Sequence, residues 1–338
     1  MRKALVLGTL ALALSGAPAL AEDTLRALAA ARGIDVGAAV AMRPLREDPL
    51  YAGTLKREFG MMVGENAFKW DAIHPLASRY YFDDADEIVA FAEANGMKLR
   101  GHTLVWHQQN PTWLARRIRT RDEAIAVLKD HIDTVVGRYK GRIVAWDVVN
   151  EAIDDSTGEL RESPWLTAIG PDYIALAFRF AHEADPAAKL YYNDYNAEGM
   201  GGKGDAVYEL VKGLREQGVP IDGVGWQGHL LGNSFTADFM ANGERLAALG
   251  LEIAITELDV RIKVPADDRG FAQQAKIYAT VAATCLALPN CRAIVTWGFT
   301  DAHSWVPGFF PGEGAALPFD ESYGRKPAYD AIAETLRQ

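Results

Sequence analysis

The chain has 338 residues, 49% of them hydrophobic and 24% charged, with a formal net charge of −10 at pH 7. It is too long for a small scaffold dependent on staples and falls within the range of one large α/β barrel. The acidic balance argues against nucleic acid or an anionic membrane surface as partner and points to a neutral or positively charged one.

Residues 1–21 stand apart from the rest. Arg2 and Lys3 form a basic start, residues 4–14 an apolar run, and Ala19-Leu20-Ala21 a small-residue cleavage site. The run is too short to span a membrane, so it reads as a secretory signal removed after Ala21. The expectation is an exported protein, periplasmic or extracellular, whose mature domain is residues 22–338.

Beyond this segment, helix and buried-strand signals alternate. A short helix over 24–32 ends at Gly33, and strands are expected at 36–40, 60–64, 98–105, 143–149, 189–192, 223–226, 252–256 and 293–296. Helices are expected at 49–58, 84–95, 122–139, 172–184, 205–217, 237–249 and 271–286, with a closing helix over 327–336. Gly96 stops the helix over 84–95. Eight strand–helix units without a linker predict a single (β/α)₈ barrel of the α/β class. An open doubly wound sheet is the alternative, but no glycine-rich phosphate loop follows the first strand. The only two cysteines, Cys285 and Cys291, are either one structural disulfide closing a helix-to-strand turn or two unrelated buried thiols.

The residues that follow each strand carry the chemistry. Trp146 to Ala152 is an apolar strand that ends abruptly in Asn150-Glu151, and Leu251 to Asp259 repeats the pattern with Glu257. The second strand delivers Glu65, Asn66 and Lys69; the third His102, Trp106, His107 and Gln109. The fifth gives Asn193 and Tyr195, the sixth Gln227 and His229, the seventh also Asp259, and the eighth Trp297 followed by Trp305. In a barrel these ends meet at one rim. A pocket of carboxylates, amides, imidazoles and indoles suits a sugar, whose hydroxyls need polar partners and whose C–H faces pack on flat rings. Two carboxylates about 5–5.5 Å apart would cleave a glycosidic bond with retention, and about 6.5–9.5 Å with inversion. Singly, each Trp or His is more simply core, and each lone carboxylate a surface charge. Together on one rim they are not. No His-Glu-x-x-His pattern occurs and His102 and His107 lack helical ligand spacing, so no metal or other cofactor is expected.

At these residues the chain resembles glycoside hydrolase family 10, the retaining β-1,4-xylanases. The resemblance runs from about Ile34 to the C-terminus and rests on residues 64–71, 100–107, 146–152 and 255–259, together with Trp305-Val306-Pro307 and Phe310-Pro311-Gly312. It implies Glu151 as acid/base and Glu257 as nucleophile, with Asn150 donating to the sugar 2-hydroxyl. It implies His229 and Asp259 orienting Glu257, and Glu65, Asn66, Lys69, His102, Trp106 and Gln109 gripping sugars on the non-reducing side. Trp297 and Trp305 would wall the cleavage subsite, with Gln227 beside the same sugar, and Cys285 with Cys291 matches a disulfide of many members. Xylan and xylo-oligosaccharides are the implied substrates, acted on by a monomer. A nucleophile wants donors that keep it ionised, whereas an acid wants apolar surroundings and a nearby negative charge. Phe68, where many members carry Met, and Gly64, where Pro or Ala is frequent, depart from the pattern beside the Glu65-Asn66-Lys69 set. A retaining β-1,4-glucanase or aryl-glycosidase of the same fold is the alternative, and a non-catalytic sugar-binding barrel is a second; loss of either glutamate would mark the latter, and both are present.

Overall fold

The computed structural model describes residues 23–232 and 238–338. The expected signal segment, and the first residue of the helix expected over 237–249, lie outside them. Eight parallel strands close on themselves: β1 (Asp35–Val40), β2 (Met61–Gly64), β3 (Lys98–Val105), β4 (Ala145–Asn150), β5 (Lys189–Asp194), β6 (Gly223–Trp226), β7 (Glu252–Lys263) and β8 (Cys291–Thr296). Each pairs in parallel with the next, and β8 returns to β1 from Asp35↔Ala293 to Ala38↔Thr296. The expected (β/α)₈ barrel is the fold found.

Local chemistry starts the helices where the sequence places them. Thr24 accepts from the Ala27 amide, Asp48 caps a helix opened by Pro49, and Thr120 with Glu123 forms a reciprocal capping box. Inside the barrel, Ala39, Met61, Val63, Ala145, Tyr191, Ala254, Ala293 and Val295 form a small layer capped by Trp297. The larger apolar core lies outside it, between strands and helices. Interior positions are mostly small, which leaves the C-terminal end of the barrel room for polar chains.

The main departure from the expected elements is β7. It was expected to stop at residue 256 but continues to Lys263. Register shifts between Ile255 and Leu258 turn it off β8, and it then pairs with a short strand, His229–Leu231, and with Glu313–Gly314. This rim extension carries Glu257, Asp259 and Arg261. Periodicity alone could not extend the strand, because its partners are non-local.

Two local fits explain unusual residues. Phe68 is fully buried, edge-on to Tyr139 and Trp146, and a side chain at Gly64 would come within 3.0 Å of its ring. The two departures from the family pattern therefore compensate each other in the core rather than shaping the cleft.

Cys285 and Cys291 are joined, which settles the alternative of two thiols. The bond ties the end of the helix Asp268–Ala287 to the first residue of β8. A loop this short constrains the unfolded chain by about 2 kcal/mol. Cys285→Ala with Cys291→Ala is expected to lower stability by about that amount, read as a reduced urea midpoint, with unchanged kcat.

Candidate active site

At the C-terminal end of the strands lies a cleft of about 540 Å³. It gathers Glu65, Asn66 and Lys69 after β2, His102, Trp106 and Gln109 on or after β3, and Asn150 and Glu151 at the end of β4. Gln227 and His229 follow β6, Glu257 lies on β7, and Trp297 and Trp305 follow β8. Asp259 lies beneath this surface, fully buried, and holds the wall in place. Its carboxylate accepts from Trp305 Nε1 at 2.8 Å and from His229 Nδ1 at 2.9 Å.

The two glutamates are differently held. Glu257 accepts from Asn193 Nδ2 at 2.7 Å and from His229 Nε2 at 3.2 Å, and His102 Nδ1 is 3.8 Å away. Burial works against its charge, but the His102 charge and the His229 hydrogen bond outweigh burial and hold Glu257 below the ordinary glutamate range. His229 is the converse case. Burial alone would lower it, yet Asp259 and Glu257 hold it up at about 10, so it stays protonated and donates to both carboxylates.

This predicts the acidic limb of activity. A carboxylate with a depressed value keeps its charge, and the activity resting on that charge is lost only as pH falls through the depressed value. The acidic limb of kcat/KM is therefore expected below the ordinary glutamate value of about 4.3. His229→Ala removes the supporting charge and is expected to move the limb upward by about one pH unit, read from the pH profile of kcat/KM.

Glu151 is not in the apolar surroundings expected of it. Trp106 Nε1 donates to its Oε2 at 2.9 Å, and Gln227 Nε2 and Asn150 Nδ2 donate to its Oε1 at 2.9 and 3.1 Å. Hydrogen bonds from an indole and two amides, rather than a dry pocket, orient this side chain. Its backbone is also unusual, with φ of 56° in the left-handed region.

Several residues of the site carry no individual role in the sequence pattern, although Asn193 and Tyr195 are placed on its rim. Asn193 is the central one: its amide nitrogen reaches Glu257 and, at 2.8 Å, Asn150 Oδ1, while its own oxygen accepts from Thr256 Oγ1 at 2.6 Å. Gly225 makes room for it, since a Cβ there would lie 2.2 Å from Asn193 Oδ1. Arg100 and Asp147 form a fully buried ion pair inside the barrel, with His102 Nδ1 3.0 Å from the same carboxylate. Burial opposes the Asp147 charge, and Arg100 with His102 overcomes it and holds Asp147 low. The available signal was a charged residue inside each of two otherwise buried strands. Gln108, Tyr195, Asn196, Arg261, Phe309 and Phe310 also line the cleft. Among the described residues no cluster of side chains could hold a metal ion.

A parallel barrel whose C-terminal rim brings two buried glutamates together among amides and indoles, in a cleft of sugar dimensions, has the architecture of a glycoside hydrolase. Comparison with known proteins makes the class specific. The sequence profile described as Glycosyl hydrolase family 10 matches residues 24–335, and the chain belongs to that family. It is 46% identical over 327 residues to endo-1,4-beta-xylanase B of Thermotoga neapolitana, covering 93% of this chain and 92% of that one. Native xylanase 10B from Thermotoga maritima superposes with a TM-score of 0.91 at 48% identity, covering 93% of this chain and 98% of that one. Xylanase 10B from Thermotoga petrophila, solved with xylobiose, gives the same TM-score and identity over 93% and 97% of the two chains.

Proposed function

We propose that this protein is an endo-1,4-β-xylanase that hydrolyses internal bonds of xylan with retention, Glu257 acting as nucleophile and Glu151 as acid/base. The observation that carries the reading is the pair of buried glutamates, one just after β4 and one on β7, bridged by Asn193 and Asn150 in one indole-walled cleft. In the first step a Glu257 oxygen bonds to the anomeric carbon as the glycosidic C–O bond breaks, and the Glu151 proton passes to the departing oxygen. In the second, Glu151 takes a proton from water, whose oxygen bonds to the anomeric carbon and releases Glu257. His229 and Asn193 supply donors to Glu257 throughout. Lys69, 5.1 Å above the Trp106 ring and 3.0 Å from Asn66 Oδ1, with Glu65 beside it, would bind hydroxyls of the sugar on the non-reducing side. His102 meets Trp297 edge-on at 5.1 Å and so fixes the floor against which the reacting sugar packs. Export after cleavage near Ala21, and action as a monomer, complete the proposal. Among the described residues no helix is long and apolar enough to cross a membrane.

The test is proton NMR of anomeric signals during the first minutes on xylohexaose, with cellohexaose in parallel. Early β-anomer from xylohexaose is the expected result. Early α-anomer would remove the nucleophile role of Glu257, and preference for cellohexaose would move the substrate while keeping the mechanism. Binding of both sugars without cleavage would leave only a sugar-binding barrel.

A further inference from the structure

Glu151 is held in a left-handed conformation that side-chain-bearing residues rarely adopt. What holds it lies behind the cleft. The Glu151 amide donates to Asn193 O at 2.9 Å, Arg161 Nε donates to Glu151 O at 3.1 Å, and the next amide, Ala152, donates to Tyr192 Oη at 3.0 Å. These last two contacts lead into one cluster. Arg161 also reaches Asp155 and Tyr195 Oη, Tyr192 donates to Asp194, and Tyr195 donates to Asp155.

Lys203 closes the cluster. Its side chain is only 3% exposed, and its Nζ lies 2.7 Å from Asp194 and 3.0 Å from Asp155. The same nitrogen sits 3.5 Å from the centroid of the Tyr195 ring, a cation–π contact. Lys203 stands in the first turn of the helix Gly202–Glu216, where the helix dipole disfavours a cation. Local helix chemistry gives no reason for a lysine there; the cluster does. It touches three things at once: the end of β5 through Asp194, the loop that follows Glu151 through Asp155, and a ring that lines the cleft beside Glu151.

We propose that Lys203 is a positioning residue for the acid/base, fixing the Glu151 backbone through Asp155 and Asp194 and tying it to the Tyr195 wall of the cleft. This rests on the assignment of Glu151 above. Lys203, held between Asp155 and Asp194, stops the loop carrying Asp155 and Arg161 from relaxing, and so holds the Glu151 carboxylate where a departing oxygen can take its proton.

A loosened acid harms only leaving groups that need a proton. The experiment compares kcat/KM for two aryl β-xylobiosides, one releasing phenol with pKa about 10 and one releasing 2,4-dinitrophenol with pKa about 4. Lys203→Met is expected to lower the phenyl value roughly 30-fold and the dinitrophenyl value less than about threefold. Both rates come from one preparation, so their ratio is unaffected by any unfolded fraction. Asp155→Asn, at a more exposed end of the same contact, is expected to shift the ratio in the same direction. A ratio within about twofold of wild type in Lys203→Met would overturn the proposal. Glu151→Ala separates the two levels: a large ratio shift there with none in Lys203→Met sinks the positioning role alone, and no shift in Glu151→Ala removes the acid/base assignment and this inference with it.

Discussion

Replacing Glu257 by alanine is expected to lower kcat on xylan by roughly 10⁵-fold while the barrel still folds. The loss follows from the proposed covalent step, which has no other carboxylate to form the bond. Retention of the fold follows from the neighbours. His229 keeps Asp259 as a partner, Asn193 keeps Asn150 and Thr256, and a buried charge that was costly to desolvate is gone. Circular dichroism and thermal melting check the fold, and reducing-sugar release checks the rate. Adding azide sharpens the test. A small anion entering the space left by Glu257 would attack from its side of the sugar and yield the α-xylosyl azide, whereas azide replacing the function of Glu151 would yield the β product. A variant with near-full activity would end the nucleophile assignment.

Arg100→Met is expected to destabilise the protein by roughly 3–5 kcal/mol at neutral pH, without any residue of the cleft being altered. Arg100 is 2% exposed, lies over the Tyr191 ring at 4.3 Å, and grips both oxygens of Asp147. Removing it leaves the Asp147 charge buried with only His102 beside it. The pH dependence has a definite sign. In the variant, burial is no longer outweighed and the Asp147 carboxyl rises above its unfolded value, so stability is present at low pH and lost as pH rises through the new value. The deficit against the native protein should therefore shrink on acidification, measured by urea unfolding at several pH values. An equal deficit at all pH values would mean that lost packing, and not the stranded charge, is the cause.

The amino-acid order revealed much of this architecture because strand ends in a parallel barrel share one rim. Asn150-Glu151 after an apolar run, and Glu257 after another, could be placed together without knowing any pairing. The rest depended on contacts between distant strands. Arg100 and Asp147 look like isolated charges until β3 and β4 are brought into register, with His102 opposite Asp147. Asn193 was visible at the end of β5, but its position between the two glutamates required Gly225 on the neighbouring strand to lack a side chain. The extension of β7 was hidden for the same reason: its partners, His229–Leu231 and Glu313–Gly314, come from loops. Glu151 departs in the opposite sense: the chemistry of an acid predicts a dry setting, and the ends of neighbouring strands surround it with the donors Trp106, Gln227 and Asn150.

The amide bridge through Asn193 has one further consequence. Thr256 donates to Asn193, Asn193 donates to Asn150 and Glu257, and Asn150 donates to Glu151, so the hydrogen bonds run in one direction from a hydroxyl to both carboxylates. Such a chain carries dipoles and no net charge, and it presents its positive ends to each glutamate simultaneously. In the proposed cycle, negative charge leaves Glu257 as the ester forms and appears on Glu151 as the leaving oxygen is protonated. The protein need not reorient a single amide to receive it, because the receiving dipoles already face the right way. The charge moves, and its solvent stays still.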